Sequence, residues 1–137
     1  MNKLNLSESQ HQQLLFQWAT LNEKHFPELA FLVAIPNGGL RNLSVGARMK
    51  AEGCRKGFPD LMLPCPRGEY HSLAIELKKP SAKLKTPKLH DTGYLRTGGE
   101  SDEQIDWILF LRSQGWLCAV AYGWEEARDL VLGYLNI

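Results

Sequence analysis

Hydrophobic positions along the chain alternate between helical and strand-like spacing. Ser7, followed three residues later by Gln10, forms a capping box ahead of His11, Leu14, Leu15, Trp18, Leu21 and His25, which predicts a helix from about Ser7 to Lys24. Ala30 to Ile35 is a continuous apolar run, AFLVAI, closed by Pro36-Asn37-Gly38-Gly39, and predicts a buried strand leaving into a turn. A second helix is expected from about Leu43 to Glu52, with Gly53 placed to end it. Pro59–Leu63 and Ser72–Lys78 are strand-like runs separated by the turn-forming stretch Pro64–Tyr70, so they should pair as an antiparallel hairpin.

From Pro80 to Glu100 the apolar periodicity fades among two prolines and three glycines, which predicts a long loop of functional character. Ser101 and Gln104 make a second capping box, and Ile105, Ile108, Leu109 and Arg112 continue a helix that Gly115 should end. Trp116–Tyr122 reads as a strand, and Gly123 precedes a final helix over about Trp124–Leu135. The alternation implies an α/β fold, a mixed central sheet flanked by helices, with residues 1–137 forming one domain.

Composition agrees with one globular core: 137 residues, 44% hydrophobic and 23% charged. Cys54, Cys65 and Cys118 are odd in number and lack C-x-x-C spacing, which argues against a disulfide framework or structural zinc. No apolar run approaches the roughly 18 residues of a membrane span, so the expectation is a soluble, unprocessed cytoplasmic protein. Neither a G-x-x-x-x-G-K-[ST] nor a G-x-G-x-x-G loop occurs, so no nucleotide cofactor is expected.

The net charge of +1 conceals segregation. Between Arg41 and Arg96 lie twelve Lys/Arg against five Asp/Glu, whereas the remaining chain has four against ten. Such asymmetry points to a polyanionic partner, although basic residues can also simply solvate loops. Within the basic stretch stand Pro59-Asp60 and Glu76-Leu77-Lys78. Strand alternation sends Glu76 and Lys78 to one side and Leu77 into the core, and a hairpin brings Asp60 alongside them. Two carboxylates beside a lysine at a sheet end suit a hard cation, Mg²⁺ or Mn²⁺. An ordinary Glu–Lys ion pair with Asp60 capping a turn is the alternative, disfavoured by the apolar flanks Leu61-Met62-Leu63 and Leu73-Ala74-Ile75.

These residues resemble the motif of the PD-(D/E)xK nucleases and, within that superfamily, the VRR-NUC family. The resemblance is carried by SESQHQQ at 7–13, IPNGG at 35–39, GFPDLML at 57–63, IELKKP at 75–80 and a helix containing Gln104, and spans nearly the whole chain. It implies a restriction-endonuclease-like αβββαβ core and a metal-dependent DNA endonuclease hydrolysing phosphodiester bonds. Asp60 and Glu76 would be metal ligands with the Leu77 carbonyl, and Lys78 the catalytic lysine. Glu8 matches the acid of the first helix, where it equally serves as a first-turn acid favoured by the helix dipole. Gln104 matches the glutamine of the later helix, yet is also a capping-box member; Gln12, one turn after Glu8, is a further candidate beside the site. Arg48, Lys50, Arg55 and Lys56, with Lys79, Lys83 and Lys85, are candidate phosphate contacts. Branched DNA such as a Holliday junction is the substrate the resemblance implies, and two symmetric cuts then require a homodimer. A phage or prophage origin fits the small size. The competing readings are a non-catalytic nucleic-acid-binding module of the same fold, or a nuclease acting on RNA or linear DNA.

Overall fold

The structure, a computed structural model, describes residues 5–36 and 43–137; of Leu43 and Ser44 only the backbone is described. Helix α1 (Glu8–Leu21) starts at the predicted box: the Ser7 hydroxyl accepts from the Gln10 N–H, and the Gln10 side chain accepts from the Ser7 N–H. It ends earlier than expected, where the Asn22 amide donates to the Trp18 carbonyl, 2.8 Å away. Strand β1 is confined to Val33–Ala34, because Pro27–Phe31 instead winds into a 3₁₀ turn with proline at its start. The predicted Ala30–Ile35 strand is corrected accordingly. Helix α2 (Leu43–Ala51) closes on Gly53 at φ 101°, as the pattern anticipated. The Asn37-Gly38-Gly39 turn lies outside the described residues.

Strands β2 (Leu61–Leu63) and β3 (Leu73–Lys78) form the expected antiparallel hairpin, and β6 (Leu117–Tyr122) pairs parallel to β3. The sheet order is β1-β2-β3-β6, so β3 is interior and buried at every residue. That placement explains why Leu73, Ala74, Ile75 and Leu77 are apolar on both faces. Leu73, Ile75 and Leu77 pack with Leu15 and Ala19 of α1 and Ala127, Val131 and Tyr134 of α4 (Trp124–Leu135). Ala74 and Cys118 meet Ile105, Ile108 and Leu111 of α3 (Asp102–Ser113) on the other face. Truncating a side chain such as Ile75 to alanine here costs about 2–5 kcal/mol.

The expected long loop is also corrected. Residues 80–100 hold a 3₁₀ turn at Pro80–Ala82 and a two-stranded ribbon, β4 (Lys88–Leu89) with β5 (Leu95–Arg96). Strands this short leave no periodicity to read; their order comes from docking on α3. Among the described residues no helix is long and apolar enough to cross a membrane.

Candidate active site

Alternation along β3 puts Glu76 and Lys78 on the α3 side at the strand's C-terminal end, while Leu77 enters the α1/α4 core. The neighbouring parallel strand delivers the chain to the same end: the Gly123 N–H donates to the Lys78 carbonyl at 2.8 Å. Since Leu117 N–H likewise meets the Ser72 carbonyl, even-numbered carbonyls of β3 face β6, and the backbone polar groups of Leu77 face β2. There Asp60 Oδ2 accepts from the Leu77 N–H at 2.8 Å, extending the hairpin contact past the last paired residue and fixing the carboxylate beside Glu76.

Gly57 explains the glycine of GFPD. Its φ is 96°, and a Cβ would lie 2.6 Å from the Glu103 backbone, so only glycine lets this segment cross the first turn of α3. The same crossing brings Lys56 to Glu103 at 3.2 Å.

Gln104 joins the two charged residues of β3. Its Oε1 accepts from the Ser101 N–H at 2.9 Å and from Lys78 Nζ at 3.2 Å, which leaves Nε2 to donate to Glu76 Oε2 at 3.0 Å. The two readings of Gln104 are therefore one arrangement: the capping box holds the amide where it contacts both Glu76 and Lys78. Lys78 Nζ also donates to the Gly99 carbonyl at 3.2 Å and lies 3.9 Å from Glu76 Oε2. Glu76 Oε1 is buried without a hydrogen-bond partner among the described residues. Burial, and then the charge of Asp60, hold the Glu76 carboxyl well above the ordinary carboxylate range despite Lys78. Burial also raises Glu8, with Lys78 opposing and Asp60 adding to the shift.

A cleft of about 630 Å³ collects these groups: Glu8, Gln12, Asp60, Glu76, Ser101 and Gln104 line it, with Lys56 at its wall. No three His, Cys, Asp or Glu side chains converge as a ready-made metal cage among the described residues. The donor set nevertheless fits a hard divalent cation, because Mg²⁺ keeps several waters and takes only one or two carboxylates. An unpartnered buried oxygen amid like charges is the atom such an ion would satisfy.

The remaining predicted residues divide. Lys50, Arg55 and Lys56 line an adjoining hollow of about 390 Å³ that shares Pro36 and Lys56 with the cleft. Arg48 is exposed on α2 and lines neither. Lys79 follows β3 directly and acts electrostatically on Glu8; Lys83 lies 5.6 Å from the Tyr122 ring centre; Lys85 is exposed. Of the histidines, His11 is buried on α1, where Nδ1 accepts from the Trp124 N–H at 3.1 Å, and burial lowers its basicity.

Sequence reasoning missed Glu100. Its buried carboxylate accepts from Tyr94 Oη (2.7 Å), the Thr97 N–H (3.1 Å) and hydroxyl (3.2 Å), and the Gly98 N–H (2.7 Å). Burial alone would raise Glu100, but these bonds outweigh it and leave the group more acidic than usual. The chain thus wraps its own carboxylate and presents the next carbonyl back, that of Gly99, to Lys78. Nothing in TGGES distinguishes this glutamate from a solvated loop acid; the one usable signal was the pair of glycines before it.

Comparison with known proteins places this geometry in context. The VRR-NUC domain model matches residues 3–125. A solved structure described as "VRR_NUC domain protein" superposes with a TM-score of 0.72 over 96% of this chain and 90% of that one. At 23% identity, that likeness concerns the fold. No curated protein matches the chain.

Proposed function

The chain belongs to the VRR-NUC domain family, a nuclease-type domain, and on that premise we propose that it is a Mg²⁺- or Mn²⁺-dependent endonuclease hydrolysing DNA phosphodiester bonds at the cleft lined by Asp60 and Glu76, with Lys78 buried beside them. The observation that carries this reading is the buried, unpartnered Glu76 Oε1 beside a second carboxylate and a lysine held by two acceptors. Asp60 and Glu76, with the Leu77 carbonyl, are the groups that would hold the cation. A bound divalent ion supplies a more acidic water and neutralises charge on a phosphate oxygen.

The chain's own part rests on Lys78. An ammonium has three N–H donors; the Gly99 carbonyl and Gln104 Oε1 take two, leaving one for the attacking water or a phosphate oxygen. Its charge offsets the negative charge that develops on the phosphate, and its fixed position avoids reorganisation during the reaction. Gln104 keeps Lys78 and Glu76 from collapsing into a closer ion pair by standing between them. Glu8 faces the same cleft from α1 and is placed to accept from a water near the two carboxylates. Lys50, Arg55, Lys56, Lys79, Lys83 and Lys85 supply phosphate contacts around it.

The substrate we favour is branched DNA, cut by a homodimer that brings two such clefts to one junction. The test is a panel of labelled duplex, flap, single-stranded and four-way-junction DNA and matching RNA, incubated with Mg²⁺, Mn²⁺ or EDTA. Cleavage should require the metal, favour branched DNA and disappear in Lys78→Ala while DNA binding survives. Undiminished metal-dependent cleavage by Lys78→Ala refutes the assignment, and a sedimenting monomer on junction DNA refutes paired cutting.

A further inference from the structure

The ribbon between Lys78 and α3 carries a feature that phosphodiester hydrolysis at the cleft does not use. β4 and β5 pair Leu89 with Leu95 and Lys88 with Arg96, and these two pairs project from opposite sides. The side bearing Tyr94 and Arg96 is docked on α3. Tyr94 is buried against Ile105 and Ile108, and Arg96 Nη2 (3.2 Å) and His90 Nε2 (3.0 Å) both reach Asp102 Oδ1. The other side is bare: Leu89 is 75% and Leu95 52% exposed. An anchored ribbon thus holds two directly opposed leucines out in solvent.

Its surroundings identify the occupant. From Lys79 to Arg96 the only acid is Asp91, against five Lys/Arg; Arg96 is taken by Asp102 and Lys88 projects with it from the opposite side, whereas Lys85 is exposed with no ion pair among the described residues. A second copy is a poor match, since a two-fold interface would set this cationic patch against itself. A polyanion that also offers apolar surface is a good one. Intact duplex keeps its base faces stacked inside, whereas a branch point or strand end exposes them. The ribbon is also next to the cleavage cleft: Leu84 N–H meets the Thr97 carbonyl at 2.8 Å, two residues before the Gly99 carbonyl that receives Lys78.

We propose that the 84–97 ribbon is a second DNA contact, in which Leu89 and Leu95 rest against bases unstacked at a branch or end while Lys85 holds an adjoining phosphate. It deepens the nuclease reading above and rests on it. The test is binding of the full chain to labelled four-way-junction, flap and intact duplex DNA in EDTA, so that no cleavage intervenes. Leu89→Ser/Leu95→Ser should lose about tenfold of the preference for branched DNA, the scale of one base-stacking contact, with duplex affinity changed less than about twofold. Lys85→Ala should weaken both and flatten the salt dependence by about one phosphate's worth. Wild-type preference retained in the leucine variant overturns the proposal. So does a DNA-free change of oligomeric state in that variant, which assigns the leucines to a self-interface. Preferential binding without any Mg²⁺-dependent cleavage by the wild type sinks the nuclease reading while leaving the ribbon's role standing; absence of DNA binding sinks both.

Discussion

Two buried glutamates, 24 residues apart in sequence and joined through Lys78, are treated in opposite ways by the fold. Glu100 is 2% exposed and its carboxylate is surrounded by donors from Tyr94, Thr97 and Gly98, so its charge is favoured. Glu76 is 1% exposed, receives Gln104 on one oxygen, leaves the other unpartnered and has Asp60 beside it, so its charge is opposed. Burial is the same; satisfaction is not. A carboxylate that stabilises a fold is supplied with donors by its own loop, whereas one left unpaired among like charges is a cost that a proton or a bound cation offsets. The lysine between them inherits both: Gly99, ordered by Glu100, holds it from one side, and Gln104, bonded to Glu76, from the other.

Substitution should separate the two glutamates. Glu76→Gln is expected to lower metal-dependent cleavage by at least about 10²-fold without lowering Tm, because it removes a charge that the folded state opposes; a large drop in Tm with cleavage retained would reverse the roles assigned here. Glu100→Gln should do the opposite in proportion, costing about 2 kcal/mol, or roughly 5–10 °C in Tm, and reducing cleavage only several-fold through the loosened Gly99 carbonyl. Thermal melts and single-turnover rates on the same two variants decide the matter.

Gln104→Ala touches both sides. It removes one arm of the capping box, worth about 1 kcal/mol, together with the bonds to Glu76 and Lys78. We expect a small fall in Tm and about a tenfold fall in cleavage, the cost of misplacing one catalytic group; Gln104→Glu should not rescue cleavage, since it adds a carboxylate to Glu76.

The smallest effect is on pH dependence. Glu100 is more acidic folded than its ordinary 4.5, so the stability it contributes is present above that value and lost as pH falls through the lower folded one. His11 acts in the same direction at higher pH: burial makes it less basic than its ordinary 6.5, so the unfolded chain takes up a proton first and stability declines below about that pH. Glu76 and Glu8, held above their ordinary 4.5, act the other way and gain stability as pH falls toward that value, so the two losses are read as differences between variants and wild type: Glu100→Gln should flatten only the decline below about 4.5. A Glu100→Gln variant whose Tm falls on acidification below about 4.5 as steeply as that of the wild type would contradict the bonding described for Glu100.

Much of this was legible in the chain because local pattern and tertiary environment agree. Both capping boxes, the final helix Trp124–Leu135 and the β2–β3 hairpin follow from spacing alone. Asp60, Glu76 and Lys78 could be grouped because a hairpin and a two-residue period are enough to place them together. The Ala30–Ile35 run misled because an apolar stretch need not be buried: Phe31 is 68% and Val33 43% exposed, Leu32 is the one buried residue of the run, and the two-residue strand it ends in lies at the sheet edge.

Sequence by itself thus determined the order of the four helices and of strands β2, β3 and β6, and the three residues converging at the end of β3, since those depend on periodicity and on contacts close along the chain. Only the tertiary structure decided which buried glutamate is satisfied, how Gln104 serves a cap and a cleft together, and that residues 84–97 stand as an anchored ribbon. Those outcomes depend on donors and docking surfaces brought from distant segments, and a hydrogen bond from Thr97 to Glu100 or a ribbon seated on α3 leaves no mark in the spacing of hydrophobic residues.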